Sequence, residues 1–111
     1  MGLDNFWKSR NGRMGNIEKK FLVWGGMLSG NGEASFRGKV YADIVEEATG
    51  VSLYDAHISN KTVRVMADKL DAFDFSNVSY NPYDLTVKDF DSFKEMFRCH
   101  AEAGHSLKSW W

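Results

Sequence analysis

The chain of 111 residues lacks several features that would place it in a specialised class of proteins. Its single cysteine, Cys99, has no partner for an internal disulfide, so nothing indicates an oxidising compartment. A single proline and a charged fraction of 26% exclude a disordered, low-complexity chain. No apolar run approaches the roughly 20 residues that cross a membrane, and the N-terminal segment lacks the layout of a secretion signal. We therefore expect a cytoplasmic protein with no membrane partner.

An excess of charge of one sign is also missing. The formal net charge is −1, and basic and acidic residues are mixed along the chain. Proteins that bind duplex nucleic acid usually carry a basic block or stripe, so a duplex partner is not expected. Hydrophobic residues make up 43% of the chain and aromatic residues 14%, which is enough for one core. These values predict a single domain over residues 1–111.

The first half of the chain contains strand and helix patterns separated by turns. Residues 2–9 are predicted to form an edge strand or an ordered arm, residues 10–16 a loop, and residues 20–24 a buried strand. Apolar residues then recur at helical spacing from Phe36 to Ala48. Ser35 is the predicted N-cap of this helix, and Gly50 is the residue that ends it.

The second half predicts two further helices and a closing strand. Residues 51–57 form a connector or short strand, and Ser59 or Asn60 then caps a helix that extends to Phe73. Residues 74–83 form an ordered loop. Thr86 or Asp89 starts the third helix, and residues 105–111 return as a strand. The order predicts an α+β fold, in which a small antiparallel sheet of about three short strands packs with three helices.

A glycine-rich segment is the strongest candidate for a ligand site. Five of the ten glycines fall within residues 24–38, just before the first helical pattern. The spacing matches neither a phosphate-binding P-loop nor a dinucleotide-binding fingerprint. Exposed backbone N–H groups and a helix N-terminus nevertheless suit an anion such as phosphate. The cations in the first helical turn oppose the helix dipole, and a bound anion would relieve that conflict.

The predicted ligand-binding residues are drawn from this segment and from one aromatic residue that follows it. Backbone amides, Ser35, Arg37 and Lys39 would hold phosphate, while Trp24 and Tyr54 would stack on a base. The full predicted set is Trp24, Gly25, Gly26, Ser29, Gly30, Asn31, Gly32, Ser35, Arg37, Lys39 and Tyr54.

The three histidines offer a competing interpretation. His57, His100 and His105 could act with Asp55 as metal ligands or as an acid–base pair. None of them has the spacing of a metal-binding motif, and a histidine just after a helix often has a structural role. We therefore predict no metal, no cofactor and no catalytic residue.

Several segments give the chain a resemblance to a known group of proteins. They are the opening MGLDNFW, the central GGMLSGNG and SFRGKVY, and the closing SWW. Over most of its length the chain resembles small proteins of tailed phages. The resemblance implies a phage-encoded protein in the bacterial host cytoplasm, and it transfers no catalytic residue.

Together these observations predict a non-enzymatic protein that binds a phosphate-containing small molecule. A cyclic or ADP-ribose-type nucleotide of host immunity is the expected ligand by analogy: small phage proteins are often inhibitors of host defence, and one class of them consists of compact oligomers that sequester such signals. Four tryptophans in a short chain favour a homo-oligomer with a pocket between protomers. The alternatives are a protein-interaction inhibitor of a host enzyme and a small histidine-dependent phosphodiesterase.

Overall fold

The computed structural model describes residues 3–19, 21–23, 27–29 and 34–111. These residues form three α-helices, two antiparallel sheets and one short 3-10 turn. The helices are α1 Gly38–Thr49, α2 Asn60–Ala72 and α3 Val87–Glu102. The strands are β1 Asp4–Lys8, β2 Phe21–Val23, β3 Met27–Ser29, β4 Ser35–Phe36, β5 His57–Ile58 and β6 Ser106–Trp110. The predicted α+β class is confirmed, with more strands than expected.

The main sheet is antiparallel and has the strand order β4-β1-β6-β5. Strand β1 lies inside it, paired with β4 on one side and with β6 on the other. The prediction of an edge strand or arm over residues 2–9 is therefore wrong in its position. The reason is physical: both partners of β1 are distant in sequence, and strand pairing leaves no local pattern that reveals them.

One face of this sheet packs against the helices to form the core. Trp7 of β1 and Leu107 of β6 are fully buried there, together with the phenylalanines of α3. The Trp7 indole stacks on the His100 imidazole at 4.3 Å between ring centroids and meets Phe97 edge-on at 5.0 Å. Aromatic stacking of this kind adds to the stabilisation that burial alone provides.

The start of α1 differs from the prediction. Ser35 and Phe36 belong to β4, where they pair with Phe6 and Asn5, and Arg37 occupies the N-cap position without a side-chain cap. The prediction that Ser35 is the N-cap is therefore wrong. Phe36 is buried against Trp7 at 5.8 Å, and this packing together with the strand pairing outweighs one capping hydrogen bond. The predicted end at Gly50 is confirmed, with left-handed backbone and an N–H bond to the Glu46 carbonyl.

The other helix boundaries follow the sequence closely. The Ser59 hydroxyl caps α2 by accepting from the Thr62 N–H, and α3 begins with a reciprocal capping box. In that box the Asp89 N–H donates to the Thr86 hydroxyl at 3.1 Å, and the Thr86 N–H donates to the Asp89 carboxylate at 3.0 Å. None of the helices in the described residues has the length and apolarity that a membrane crossing requires.

Removing the capping box should weaken α3 measurably. We expect Thr86→Ala to lower the free energy of unfolding by about 1 kcal/mol, because one N–H of the first turn loses its acceptor. Urea titration followed by circular dichroism measures this change. Lys88→Ala, at an exposed position in the same turn, is the matched control and should change stability by less than about 0.5 kcal/mol. Equal effects of the two substitutions would contradict a capping role.

Candidate functional site

A cleft of about 520 Å³ opens where the end of β1 meets β5, β6 and the start of α2. We call it the basic cleft. Its lining residues come from three separate parts of the chain and are Lys8, Ser9, Arg10, Gly12, His57, Ser59, Asn60, Gly104, Ser106 and Lys108. Three of these residues are Lys or Arg, and none is Asp or Glu. The cleft therefore concentrates positive charge in a chain whose net charge is slightly negative.

The register of the strands determines which cations of this cleft are neighbours. Lys8 lies opposite Ser106, and Lys108 lies between Phe6 on β1 and His57 on β5. Residues that lie directly opposite in an antiparallel pair project from the same face. Lys8, Lys108 and His57 therefore share one face of the sheet, and this face is opposite to the one that packs against the helices.

Arg10 extends the positive charge beyond the sheet. Its guanidinium lies against the backbone of Gly104: a β-carbon built on Gly104 would be 2.9 Å from the Arg10 Nε. A larger residue at Gly104 would push the guanidinium away. The ion pairs between described residues use Lys19, Arg37, Lys94 and Arg98. Lys8, Arg10 and Lys108 form none with another described residue, so their charges remain available to an anion.

The start of α2 contributes to the same cleft. Asn60 is held by its side-chain amide, which donates to the Ala101 carbonyl at 3.1 Å and to the His105 carbonyl at 2.9 Å. These bonds fix the N-terminus of α2 against the end of α3. The partial positive charge of the helix N-terminus then adds to the field of the three cations. A phosphate or carboxylate is the ligand chemistry that this arrangement favours.

The structure disperses the residues predicted from the glycine-rich segment. Trp24, Gly25, Gly26, Gly30, Asn31 and Gly32 lie outside the described residues, and Ser29 falls in β3. Ser35 is buried in β4. Arg37 is exposed, and its Nε lies 3.1 Å from the Asp4 carboxylate. The structure therefore gathers no phosphate site from the described members of the segment.

Backbone N–H groups in the first turn of α1 already donate to acceptors within the protein. The Lys39 N–H donates to the Leu3 carbonyl at 3.2 Å, and the Val40 N–H donates to the Arg37 carbonyl at 3.3 Å. Gly38 is buried against the side chain of Asn5. Because these two backbone N–H groups already have acceptors, they do not form the phosphate site that the sequence predicts at this helix N-terminus.

Lys39 and Tyr54, both in the predicted set, do lie together in a second cleft. This cleft of about 440 Å³ is called here the tyrosine cleft, and its lining residues are Lys39, Ala42, Asp43, Tyr54, Tyr80, Pro82 and Tyr83. Tyr54 also contacts Trp111 edge-on at 5.5 Å, and the Trp111 indole donates to the Tyr54 carbonyl at 2.9 Å. Asp43 opposes the charge of Lys39, so this cleft suits an aromatic ligand better than a polyanion.

Two of the three histidines are structural. The Nδ1 atoms of His100 and His105 are 2.8 Å apart, so one ring donates and the other accepts. Burial, with a contribution from neighbouring His105, lowers the pKa of His100 to about 3, and burial also lowers the pKa of His105. Only His57 lies on the basic cleft. Within the described residues, no three His, Cys, Asp or Glu side chains are grouped as metal ligands.

Sequence reasoning missed the basic cleft because its cations are far apart along the chain. Lys8, Arg10 and Lys108 become neighbours only through the pairing of β1 with β6. The one local signal was the alternation of Ser106, Leu107 and Lys108, which is typical of a strand with one solvent-facing side. That alternation identifies the face on which Lys108 lies but not its neighbours. Comparison with protein-family models, with curated proteins and with solved structures finds no match for this chain.

Proposed function

We propose that this chain is a non-enzymatic binding protein for a phosphate-containing small molecule, with the basic cleft as its binding site. The observation that carries the proposal is the combination of Lys8, Arg10 and Lys108 in one cleft, with no carboxylate among the described residues that line it. Charge-assisted hydrogen bonds from such side chains to phosphate are stronger than neutral ones. His57, Ser59 and Ser106 supply further polar groups within the same volume.

The size of the cleft favours a nucleotide over a bare phosphate ion. A volume of about 520 Å³ lies within the range of small-molecule sites, and Phe6 borders Lys108 across the sheet. We therefore propose a nucleotide ligand, such as a cyclic or ADP-ribose-type signal, which the protein would sequester in the host cytoplasm. The phage origin and the defence role in this proposal rest on the sequence resemblance alone.

The proposal includes self-association. Trp110 and Trp111 are 72% and 65% exposed, which is unusual for side chains of this size. A second copy packed over Trp111 would remove apolar area from water and would enclose a ligand more fully than one chain does. Native mass spectrometry of the free protein and of the protein with ADP-ribose would report both the number of subunits and the number of bound nucleotides.

The binding test uses calorimetric titration with inorganic pyrophosphate, ADP-ribose and a cyclic dinucleotide. We expect Lys8→Ala and Lys108→Ala each to weaken binding by about tenfold, because each removes a hydrogen bond to a charged group. Lys88→Ala is the control for loss of one positive charge far from the cleft and should leave the affinity unchanged. Lys39→Ala tests the ligand site predicted from the sequence, and it should also leave the affinity unchanged. No binding of any of the three ligands would overturn the proposal.

The same samples distinguish binding from turnover. A sequestering protein returns its nucleotide unchanged after denaturation, which liquid chromatography and mass spectrometry of the released ligand would detect. A phosphodiesterase would release cleaved product, and His57 would be its candidate acid or base, since it is the histidine on the cleft. Cleavage that is lost in His57→Ala would replace the present proposal with the enzymatic one.

A second candidate function is supported by the aromatic surface. Tyr54, Tyr80 and Trp111 are 41%, 61% and 65% exposed, and aromatic residues of this kind are enriched in protein interfaces. A protein-interaction inhibitor of a host enzyme would use this surface and leave the basic cleft without a role. In that case Tyr80→Ala would abolish the biological effect, while Lys108→Ala would preserve it.

A further inference from the structure

We propose that the outer face of the four-stranded sheet binds single-stranded nucleic acid across β1 and β6. The proposal rests on the proposed function, because the basic cleft would hold one of the phosphates of the strand. It goes beyond that function by naming a polymeric ligand and by adding aromatic residues that the cleft does not contain. The outer face is defined by Asp4, Phe6 and Lys8 of β1, Ser106, Lys108 and Trp110 of β6, and His57 of β5.

Alternation along the strands establishes which side chains share this face. In β1 the buried residues are Asn5 and Trp7, so Asp4, Phe6 and Lys8 project the other way. In β6 Leu107 is the fully buried residue, and Lys108 and Trp110 are exposed. The register then places Asp4 opposite Trp110, Phe6 opposite Lys108, and Lys8 opposite Ser106. Phe6 is therefore next to Lys8 on this face of β1, Trp110 is next to Lys108 on β6, and Phe6 lies opposite Lys108.

The aromatic members of this face lack partners within the sheet. Trp110 is 72% exposed, and no ring contact joins it to another aromatic residue among the described part of the chain. Its neighbour Trp111, in contrast, contacts Tyr54. Phe6 is half-buried between two strands. Nucleobases are planar and stack on such side chains with little dependence on sequence, which makes an unpaired base a fitting partner for each ring.

The charge of the outer face also suits a nucleic-acid strand. Lys8, Lys108 and the adjoining Arg10 are positive, and the one carboxylate on the face, Asp4, is already paired with Arg37. A chain of net charge −1 thus presents a locally positive surface to a polyanion. Successive side chains on one face of a strand are roughly 6.8 Å apart. The three cross-strand pairs on this face therefore extend over a length greater than one nucleotide. A strand of several nucleotides fits the face better than a single nucleotide does.

Single strands are favoured over duplexes for a structural reason. The bases of a duplex are stacked on one another and cannot also stack on Phe6 or Trp110. An acidic peptide would satisfy the cations and leave both aromatic rings without a planar partner. The proximity of two rings and two cations on this face therefore favours an unpaired oligonucleotide.

The test measures fluorescence anisotropy of labelled thymidine oligonucleotides of one, two, four and eight nucleotides. We expect the affinity to rise from one nucleotide to four by at least tenfold. Single-stranded octamer should bind at least tenfold more tightly than the same octamer as a duplex. With three cations engaged, the logarithm of the affinity should fall against the logarithm of salt with a slope of about −2, and Lys108→Ala should reduce that slope by about 0.7.

Aromatic variants provide the matched comparison. Trp110→Ala and Phe6→Leu should each weaken octamer binding by about tenfold, and neither should alter the binding of inorganic pyrophosphate. Trp111→Ala is the control, because Trp111 is equally large and exposed but contacts Tyr54 away from this face. Trp110 is solvent-exposed, so its variant should fold normally, and circular dichroism would verify this.

The outcomes separate this proposal from the proposed function. Pyrophosphate binding with no gain from oligonucleotide length would overturn the single-strand proposal and leave the proposed function intact. The single-strand proposal would also be overturned if the duplex or polyglutamate bound as tightly as the single strand. Charge alone would then explain binding. Failure of the octamer, pyrophosphate, ADP-ribose and the cyclic dinucleotide to bind would overturn both.

Discussion

Replacing Gly38 with alanine is expected to destabilise the protein by about 3 kcal/mol. A β-carbon on Gly38 would lie 1.7 Å from Asn5 Oδ1 and 3.0 Å from a methyl carbon of Leu3. Asn5 cannot readily move, because it is fully buried and its amide donates to the Leu53 carbonyl at 3.0 Å. The sign of the effect is informative, since glycine to alanine within a helix usually stabilises by up to about 1 kcal/mol.

A double-mutant cycle tests the cause of this effect. Asn5→Ala alone should cost about 1 to 2 kcal/mol, because the Leu53 carbonyl loses its donor. In the double variant the new methyl group fits into the space vacated by the Asn5 amide, so the combined loss should be smaller than the sum. Urea unfolding measures all three variants. Gly12→Ala is the control for a glycine with open space around it, although its left-handed backbone carries a cost of its own. Additive losses would contradict the proposed clash.

Acidification is expected to produce the second large effect, a loss of about 2 kcal/mol of stability between pH 6.5 and pH 4.5. Burial lowers the pKa of His100 to about 3 in the folded protein, whereas the unfolded chain has the ordinary value of 6.5. Between these values the unfolded state binds the additional proton. The stabilisation is therefore complete above pH 6.5 and declines as the pH falls towards 3. His105, whose pKa burial also lowers, contributes in the same direction.

The measurement is the free energy of unfolding from urea titrations at several pH values. His100→Phe keeps a planar ring against Trp7 and removes the titrating group, so its stability should depend less on pH even if it is lower at neutral pH. Thr86→Ala lowers stability without removing a titratable group and should keep the wild-type slope. An unchanged slope in His100→Phe would show that other groups cause the acid sensitivity.

The helices were predictable from the sequence because their signals are local. Ser59, Thr86 and Gly50 each act on residues within one turn, and the structure uses them as predicted. Phe36 shows the limit of such reasoning. Its spacing from Val40 fits a helix, yet it lies in β4 because it pairs with Asn5 and packs against Trp7. Pairing energy between distant segments leaves no periodic trace at either one.

The candidate site was less predictable than the fold for the same reason. Lys39 and Tyr54 were assigned to one ligand and do line one cleft, but Arg37 is engaged by Asp4 and Ser35 is buried. Lys8 and Lys108 of the basic cleft have no local sequence signal, because each looks like an ordinary solvated residue in its own segment. Their significance arises from the register that makes them neighbours.

The position of β6 between β1 and β5 has a consequence for how the protein is made. During synthesis β1 leaves the ribosome first, and its partner over residues 106–110 emerges about a hundred residues later. At translation speeds of roughly 5 to 20 residues per second, β1 must wait roughly 5 to 20 seconds before the sheet can close. The high sequence separation of this contact also slows folding itself. Newly made chains therefore spend this interval with Phe6 and Trp7 unprotected, which is when chaperones would engage them.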